Sequence, residues 1–428
     1  MAKNEHKVIG LDIGSAKTTV CVGSTDAQGR IEIHSASMVK TRGVERGVIT
    51  DLGEVAGCIE EVVKKAENKL HSFQGSKYSR IKNTRINSVF ATISGEHILG
   101  NNTKAVLNLS NRPVEIGRKD TQRAIDSAKY LSASVDRDVL HALAQEFIVD
   151  GYKRIKNPMG IFGTRLGVNL HIISAGASYV KDVVTVINRA GLDVEGVAYS
   201  GFATSLSTLT EQEKQAGVIL LEMGAGCVNI LFFKEGNLQY TGVIPVGGYD
   251  ITREIARKLN IDLPQAEELK LQYRNAFSNY GDNESTSGEK IIIKKDASNY
   301  ESINRKQMEN IIDKKLDEQL LLIKKDLELA GIISRVKRGV VVCGGMSFMD
   351  GIIEKMEKTL GLKVSMGIMR GFVSSSSSLI SNIFYSTGIG LIMHALGQKN
   401  TDNKKAFATY DIRSKIIAKI REVYEEYF

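Results

Sequence analysis

Short apolar runs that end in glycine alternate along this chain with segments of helical periodicity. Residues Val8 to Val22 read as a hairpin: an apolar run, the turn Gly14-Ser15-Ala16-Lys17, and the β-branched run Thr18-Thr19-Val20-Cys21-Val22. A third strand is predicted at Ile31 to Ser37, an amphipathic helix at Val55 to Leu70 and a strand at Ile86 to Ser94, a β-β-β-α-β order that suits a mixed sheet. From Gly95 to about Leu170 the texture changes to polar strands, with a helix from about Asp120 to Leu131 and the segment Val139 to Gly151, which predicts a separate inserted lobe. Strand and helix alternate again through Asn169 to Ala175, Tyr179 to Ala190 and Gly201 to Leu209.

A second hairpin follows at Val218 to Met223, Gly224-Ala225-Gly226 and Cys227 to Phe233; it repeats the first, so an internal duplication is predicted. The Asn, Ser, Gly and charge of Phe277 to Tyr300 predict a mobile loop, and a long helix is predicted from about Arg305 to Ala330. Gly371 to Gln398 contains no Asp, Glu, Lys or Arg. It does carry the serine run Ser374 to Ser378 with Asn382, Thr387 and His394, which points to a loop leading into a buried helix rather than a membrane span. After a polar linker, Ile412, Ile416, Ile417, Ile420, Val423, Tyr424, Tyr427 and Phe428 recur at helical spacing. That stripe suits either a lipid surface or docking back onto the protein. Glu422, Glu425 and Glu426 offset most of the charge of Arg413, Lys415, Lys419 and Arg421, so membrane binding would rest on the apolar face.

Composition bounds these readings. With 428 residues, 42% apolar and 25% charged, the chain is long enough for several packed lobes and lacks the signature of disorder. The formal charge of +8 is spread along the chain, as on a solvated basic surface, and no nucleic-acid partner is expected. Cys21, Cys58, Cys227 and Cys343 stand singly, without the spacing of a zinc site or disulfide framework, which suits a reducing cytosol. The start MAKNEHKVIG lacks the apolar core and cleavage site of a signal peptide.

Three glycine-ended strands carry the candidate chemistry. Gly14 and Ser15 make a turn whose N–H groups suit phosphate oxygens; Lys17 adds charge, Thr18 follows, and Asp12 suits Mg²⁺ held through water. An ordinary β-turn with a solvated Asp12 is the plain alternative. Glu222 precedes the second turn, Gly224-Ala225-Gly226-Cys227, as Asp12 precedes the first, and two such turns suit a polyphosphate held from both sides. The run Val340-Val341-Val342-Cys343 opens onto Gly344, Gly345 and Met346, where backbone can approach a flat nucleoside. None has P-loop spacing.

These three strands, in this order, resemble the nucleotide-binding signature of the actin, sugar kinase and heat-shock chaperone superfamily, which implies two related α/β domains around a cleft holding ATP and Mg²⁺. Gly247-Gly248-Tyr249-Asp250-Ile251-Thr252 resembles that superfamily's segment opening a helix near the nucleotide; a plain helix cap at Asp250 is the alternative. The segment from Thr41 to Leu52 (TRGVERGVITDL), together with Ser94-Gly95-Glu96-His97-Ile98, Val139-Leu140-His141, Gln145-Glu146-Phe147, Lys156-Asn157-Pro158-Met159-Gly160 and Tyr385 to Leu391, resembles the bacterial cell-division family FtsA. The similarity runs from about residue 7 to residue 396 and includes an insert in the first domain that the family uses for filament contacts and for signalling to later division proteins.

The resemblance implies an actin-like fold with the first domain over 1–94 and 171–215, the insert over 95–170, and a second domain over 216–370 with an outer lobe at about 245–335. The chain would return to the first domain over 371–396, ahead of a linker over 397–411 and a membrane-targeting helix over 412–428. It further implies self-assembly into filaments, anionic lipid as a partner, and a place at the division site on the cytoplasmic face of the plasma membrane. The outer lobe would hold the C-terminal tail of the tubulin-like protein FtsZ, with Arg305 where the family has an arginine and Lys294 and Lys295 nearby; a solvated basic loop is the alternative. Departures bear on catalysis. Glu222 stands where the family commonly has Asp, and Cys227 and Asn229 stand where it has Thr and Asp, so the expectation is nucleotide binding with weak or absent ATPase activity, Glu222 positioning metal or water. Other readings are a pilus-assembly or cell-shape relative and a metabolic kinase on the same fold, for which no catalytic Asp motif is found.

Overall fold

The computed structural model describes residues 7–26, 28–73, 84–132, 134–276, 290–294, 300–374 and 382–400. In chain order, the first half consists of β1 (Val8–Ile13), β2 (Lys17–Thr25), β3 (Ile31–Lys40), the two-residue strands β4 (Val44–Glu45) and β5 (Val48–Ile49), α1 (Leu52–Phe73) and β6 (Ser88–Ile93). The insert comprises β7 (Leu99–Asn108), β8 (Val114–Glu115), α2 (Arg118–Leu131), β9 (Arg137–Val149), β10 (Lys153–Ile155), β11 (Phe162–Gly163) and β12 (Arg165–Gly176). Then come α3 (Ala177–Arg189), β13 (Asp193–Tyr199), α4 (Ser200–Thr208) and α5 (Glu211–Ala216).

The second half runs β14 (Val218–Met223), β15 (Val228–Lys234), β16 (Asn237–Ile244), α6 (Gly248–Leu259), α7 (Leu263–Ala276), β17 (Lys290–Lys294), β18 (Tyr300–Asn304), α8 (Arg305–Leu329), β19 (Val340–Cys343), α9 (Ile352–Leu360) and β20 (Val364–Met366). β21 (Phe372–Ser374) and α10 (Ser386–Asn400) return to the first half, where β21 pairs with β3 and α10 packs on β1, β2 and α4.

The two central sheets are built alike. β1 pairs antiparallel with β2 and parallel with β6, which pairs parallel with β13; β14 repeats this with β15, β19 and β20. The predicted duplication is therefore present in the strand order. β1 and β14 are apolar up to the acids near their ends, Asp12 and Glu222, because both are central strands, with neighbours on each side. α1 begins where the Asp51 carboxylate accepts the N–H groups of Gly53 and Glu54 at 2.8 and 2.9 Å, and buries Val55, Ile59, Val62, Ala66 and Leu70 along one stripe.

The insert has its own core of Ile116, Ile125, Phe147, Leu166, Val168 and Leu170, while Leu140, Leu143 and Ile173 of its two longest strands join the core of the first domain. Its sheet continues through β12 to Gly176, beyond the boundary at 170 read from sequence. The insert also reaches the second half along β16: His171 Nε2 lies 2.9 Å from the Thr241 hydroxyl, and Gln145 Nε2 donates to the Leu238 carbonyl at 2.7 Å.

Where a mobile loop is expected over Phe277 to Tyr300, Lys290–Lys294 forms a strand paired with β18, burying Ile293 and Ile303; 277–289 and 295–299 lie outside the described residues. The tail stripe, residues 412–428, lies outside them as well. No helix among the described residues is long and apolar enough to cross a membrane. α10, in the charge-free stretch, buries Ile389, Leu391, Ile392 and Leu396 in the first core.

Candidate functional site

The two hairpin turns face each other. Gly14 N–H donates to the Lys17 carbonyl at 3.1 Å and Gly224 N–H to the Cys227 carbonyl at 2.9 Å, so each turn closes in the same way. With the end of β19 they line one cavity of about 230 Å³ between the two halves. Asp12, Gly14, Ser15, Lys17, Glu222 and the turn Gly224 to Cys227 line it, as do Gly248, Gly344, Gly345 and Met346. Gly344 has φ +87°, and a Cβ there would overlap the backbone of Met223, which explains glycine at that step.

Thr18 is a correction. Side chains alternate along β2, so Lys17 and Thr19 face the cavity while Thr18 turns away to share a 2.8 Å hydrogen bond with the Thr41 hydroxyl. Gly247 is not on the wall either. It is the N-cap of α6, its N–H donates to Asp250 Oδ2 at 2.8 Å, and its carbonyl accepts from Gln319 Nε2 of α8 at 3.0 Å. Asp250 is thus the third residue of the helix, reaching back to its start rather than standing as the cap.

The floor is a polar network. Asp12 Oδ1 accepts from the Thr92 hydroxyl at 2.6 Å. Burial pushes the Asp12 pKa up to about 7, the Thr92 bond opposing and the Glu222 charge adding to the shift. Glu222 Oε1 accepts from Thr204 at 2.7 Å and Thr387 at 2.9 Å; Oε2 accepts from Asn229 Nδ2 at 2.7 Å and Ser200 at 3.2 Å. The Ser94 hydroxyl donates to Asn229 Oδ1 at 2.8 Å and lies 3.3 Å from Cys227 Sγ, whose thiol burial pushes up to about 11. Four donors on Glu222, three of them from the first half, make it a tie between the halves. A metal at Glu222 would displace bonds already made, whereas Asp12, costly to ionise where it is buried, suits an added cation. No group of three or more metal-ligating side chains occurs among the described residues.

Several wall residues carry no sequence signal. Thr92 and Ser94, Ser200, and Thr387 come from three separate segments, and a hydroxyl is common everywhere. On α7, Glu267, Lys270 and Leu271 line the cavity; Lys270 Nζ donates to Glu267 Oε2 at 2.7 Å, Thr252 Oγ1 at 2.8 Å and the Gly248 carbonyl at 3.0 Å. Their Glu-x-x-Lys spacing is ordinary for a helix surface. Lys17 Nζ sits 3.1 Å from the ring centre of Phe384, which also lines the cavity.

In the outer lobe, Arg305 opens α8 and is only 8% exposed, its Nε 3.1 Å from Glu309 Oε1. That burial removes it from the surface where a tail would meet it. The Lys294 side chain and all of Lys295 lie outside the described residues. A groove between α6 and α8 is lined by Arg257, Lys258, Lys306, Lys314 and Lys315 against Glu254 and Glu318.

Two duplicated α/β halves closing on a cleft of glycine turns define an actin-like protein. The fold is similar to that of the solved "PilM-PilN type IV pilus biogenesis complex" (TM-score 0.63, 16% identity, covering 91% of this chain and 98% of that one). It is also similar to MreB5 of Spiroplasma citri bound to ADP (TM-score 0.51, 12% identity, covering 93% and 100%). The family described as "SHS2 domain inserted in FTSA" matches residues 95–174, and that described as "Cell division protein FtsA" matches residues 219–390. Cell division protein FtsA of Pseudomonas aeruginosa is 29% identical over 396 residues (92% of this chain, 90% of the relative), and that of Borreliella burgdorferi 28% over 419 residues (98% of each). The chain belongs to the FtsA family of cell-division proteins.

Proposed function

We propose that this protein binds ATP in the cleft, assembles into actin-like filaments and anchors the FtsZ ring to the cytoplasmic face of the plasma membrane, recruiting later division proteins. The observation that carries the nucleotide part is the pair of like-built turns facing each other across one cavity, with half-buried Asp12 on its floor. MreB5, of the same fold, is described bound to ADP. Backbone N–H groups of Ser15–Ala16 and Ala225–Gly226, in turns that Gly14 and Gly224 close, would take phosphate oxygens, with Lys17 adding charge; Gly344, Gly345, Met346 and Leu271 would take the base, and Glu267 and Lys270 the ribose. Asp12 would hold Mg²⁺ through water; the ion would supply charge neutralisation at the phosphates.

Hydrolysis is weak or absent in this reading, because Asn229 has no carboxylate and its amide is taken up by Ser94, Ser200 and Glu222. Glu222 positions these groups and joins the domains. The basic excess of the α6–α8 groove supports placing an acidic FtsZ tail there, with Arg305 fixing the start of α8. The apolar stripe of residues 412–428 is the proposed lipid contact.

The test is co-sedimentation of the full chain with anionic liposomes and ATP, with and without an FtsZ tail peptide. Pelleting that recruits the peptide, and that is lost on deleting Ile412 to Phe428, is expected. Unchanged pelleting of the truncated chain would refute the tether, and loss of ATP binding in it would refute a separate nucleotide site.

A further inference from the structure

The hairpin β4–β5 belongs to the first half, yet its tip lies on the second. Arg46 and Gly47 have φ of +46° and +79°, the two positive values of a type I′ turn, whose first position favours Asn, Asp or Gly. An arginine there accepts a disfavoured backbone, which asks what its side chain gains. Its guanidinium lies 3.1 Å from Asp250 Oδ1 at the start of α6, and beside it Arg253 lies 3.4 Å from Glu45. Both ion pairs join the tip to the helix whose first residue, Gly248, lines the cavity.

The tip is also seated on both phosphate turns. Gly47 lines the cavity and its N–H donates to the Ser15 hydroxyl at 3.0 Å. A Cβ on Gly226 would overlap that same hydroxyl and come within 2.7 Å of Arg46 Cα, so the second turn is glycine where the hairpin rests on it. Tyr249, the residue before Asp250, donates from its hydroxyl to the Ser15 carbonyl at 3.3 Å.

Resting on the nucleotide reading above, we infer that this hairpin is a strap across the phosphate end of the cleft, and that release of Arg46 from Asp250 and of Glu45 from Arg253 limits nucleotide exchange. A strap held by partly exposed ion pairs is weak enough to open thermally and is screened by salt. Because it spans entry and exit alike, loosening it speeds both directions and leaves affinity nearly unchanged.

The experiment is stopped-flow displacement of a fluorescent ATP analogue by excess ATP in the full chain. Arg46→Gly removes the ion pair and fits the positive φ without strain; Arg46→Lys keeps the charge; Glu45→Gln breaks the second pair. Dissociation about five-fold faster for Arg46→Gly, with association faster by a similar factor, near wild-type rates for Arg46→Lys and an intermediate rate for Glu45→Gln are expected. Raising salt should speed release from wild type more than from Arg46→Gly. Dissociation from both neutral variants at the wild-type rate would overturn the strap while leaving nucleotide binding intact. No saturable binding by wild type would overturn the nucleotide reading and the strap with it.

Discussion

The Thr387 hydroxyl, at the start of α10, donates to Glu222 Oε1 at 2.9 Å and so ties the returning chain of the first domain to the central strand of the second. Thr204 and Ser200 of α4 donate to the same carboxylate, and Asn229 completes it. Replacing Glu222 by Ala strands four donors where water has little access, a loss on the order of 3 kcal/mol. Urea unfolding of Glu222→Ala is expected to show that loss, together with weaker binding of Mg²⁺ and ATP; wild-type values in both would remove Glu222 from the tie and from the site.

Asp12 sets a pH dependence. Its pKa of about 7 stands above the ordinary carboxylate value of 3.8, chiefly because burial penalises the charge. Between those values the folded state holds a proton that the unfolded state releases. The stability contributed is complete below the lower value and disappears as pH rises through 7. Asp12→Asn, which does not ionise, should therefore gain on wild type between pH 5 and pH 8 by on the order of 3 kcal/mol, measured by unfolding in the presence of EDTA. Parallel stability curves would show that the carboxylate ionises without penalty.

α10 reaches the first domain through small residues. A Cβ on Gly390 would run into the carbonyl of Ala203 in α4, and one on Gly388 would meet Cys21 of β2. Gly390→Ala is expected to cost about 3 kcal/mol in unfolding free energy, since neither helix can retreat from a close-packed core. A change within measurement error would mean that α10 slides freely on α4.

Lys270 and Glu267 line the cavity from α7 and meet the ribose in the proposed occupancy. Lys270→Met should raise the Kd for ATP about ten-fold, the loss of one charged hydrogen bond, while leaving inorganic tripolyphosphate unaffected. Equal weakening of both ligands would move Lys270 to the phosphates.

Much of this architecture was legible in the pattern, and the reasons are local. Val340–Cys343 is apolar on every position and Val218–Met223 on every position but Glu222, and both end at glycines, as buried central strands opening onto a close approach require. The hairpin strand Lys290–Lys294 was hidden because three isoleucines, Ile291 to Ile293, stand between long polar stretches. The polar floor was hidden for another reason. Thr92, Ser200, Thr204 and Thr387 converge only through the fold, and nothing local marks a hydroxyl that will face a carboxylate. Thr18 was misplaced because a turn motif suggests a row of contacts, where strand alternation admits only every second side chain.

Isothermal titration of the full chain with ATP, with and without Mg²⁺, tests the central claim most directly. One saturable site per chain, tighter with Mg²⁺ than in EDTA and weakened in Asp12→Asn only when Mg²⁺ is present, is the predicted result. No saturable heat at millimolar ATP, or binding indifferent to Mg²⁺ and to Asp12, would contradict the assignment of the cleft.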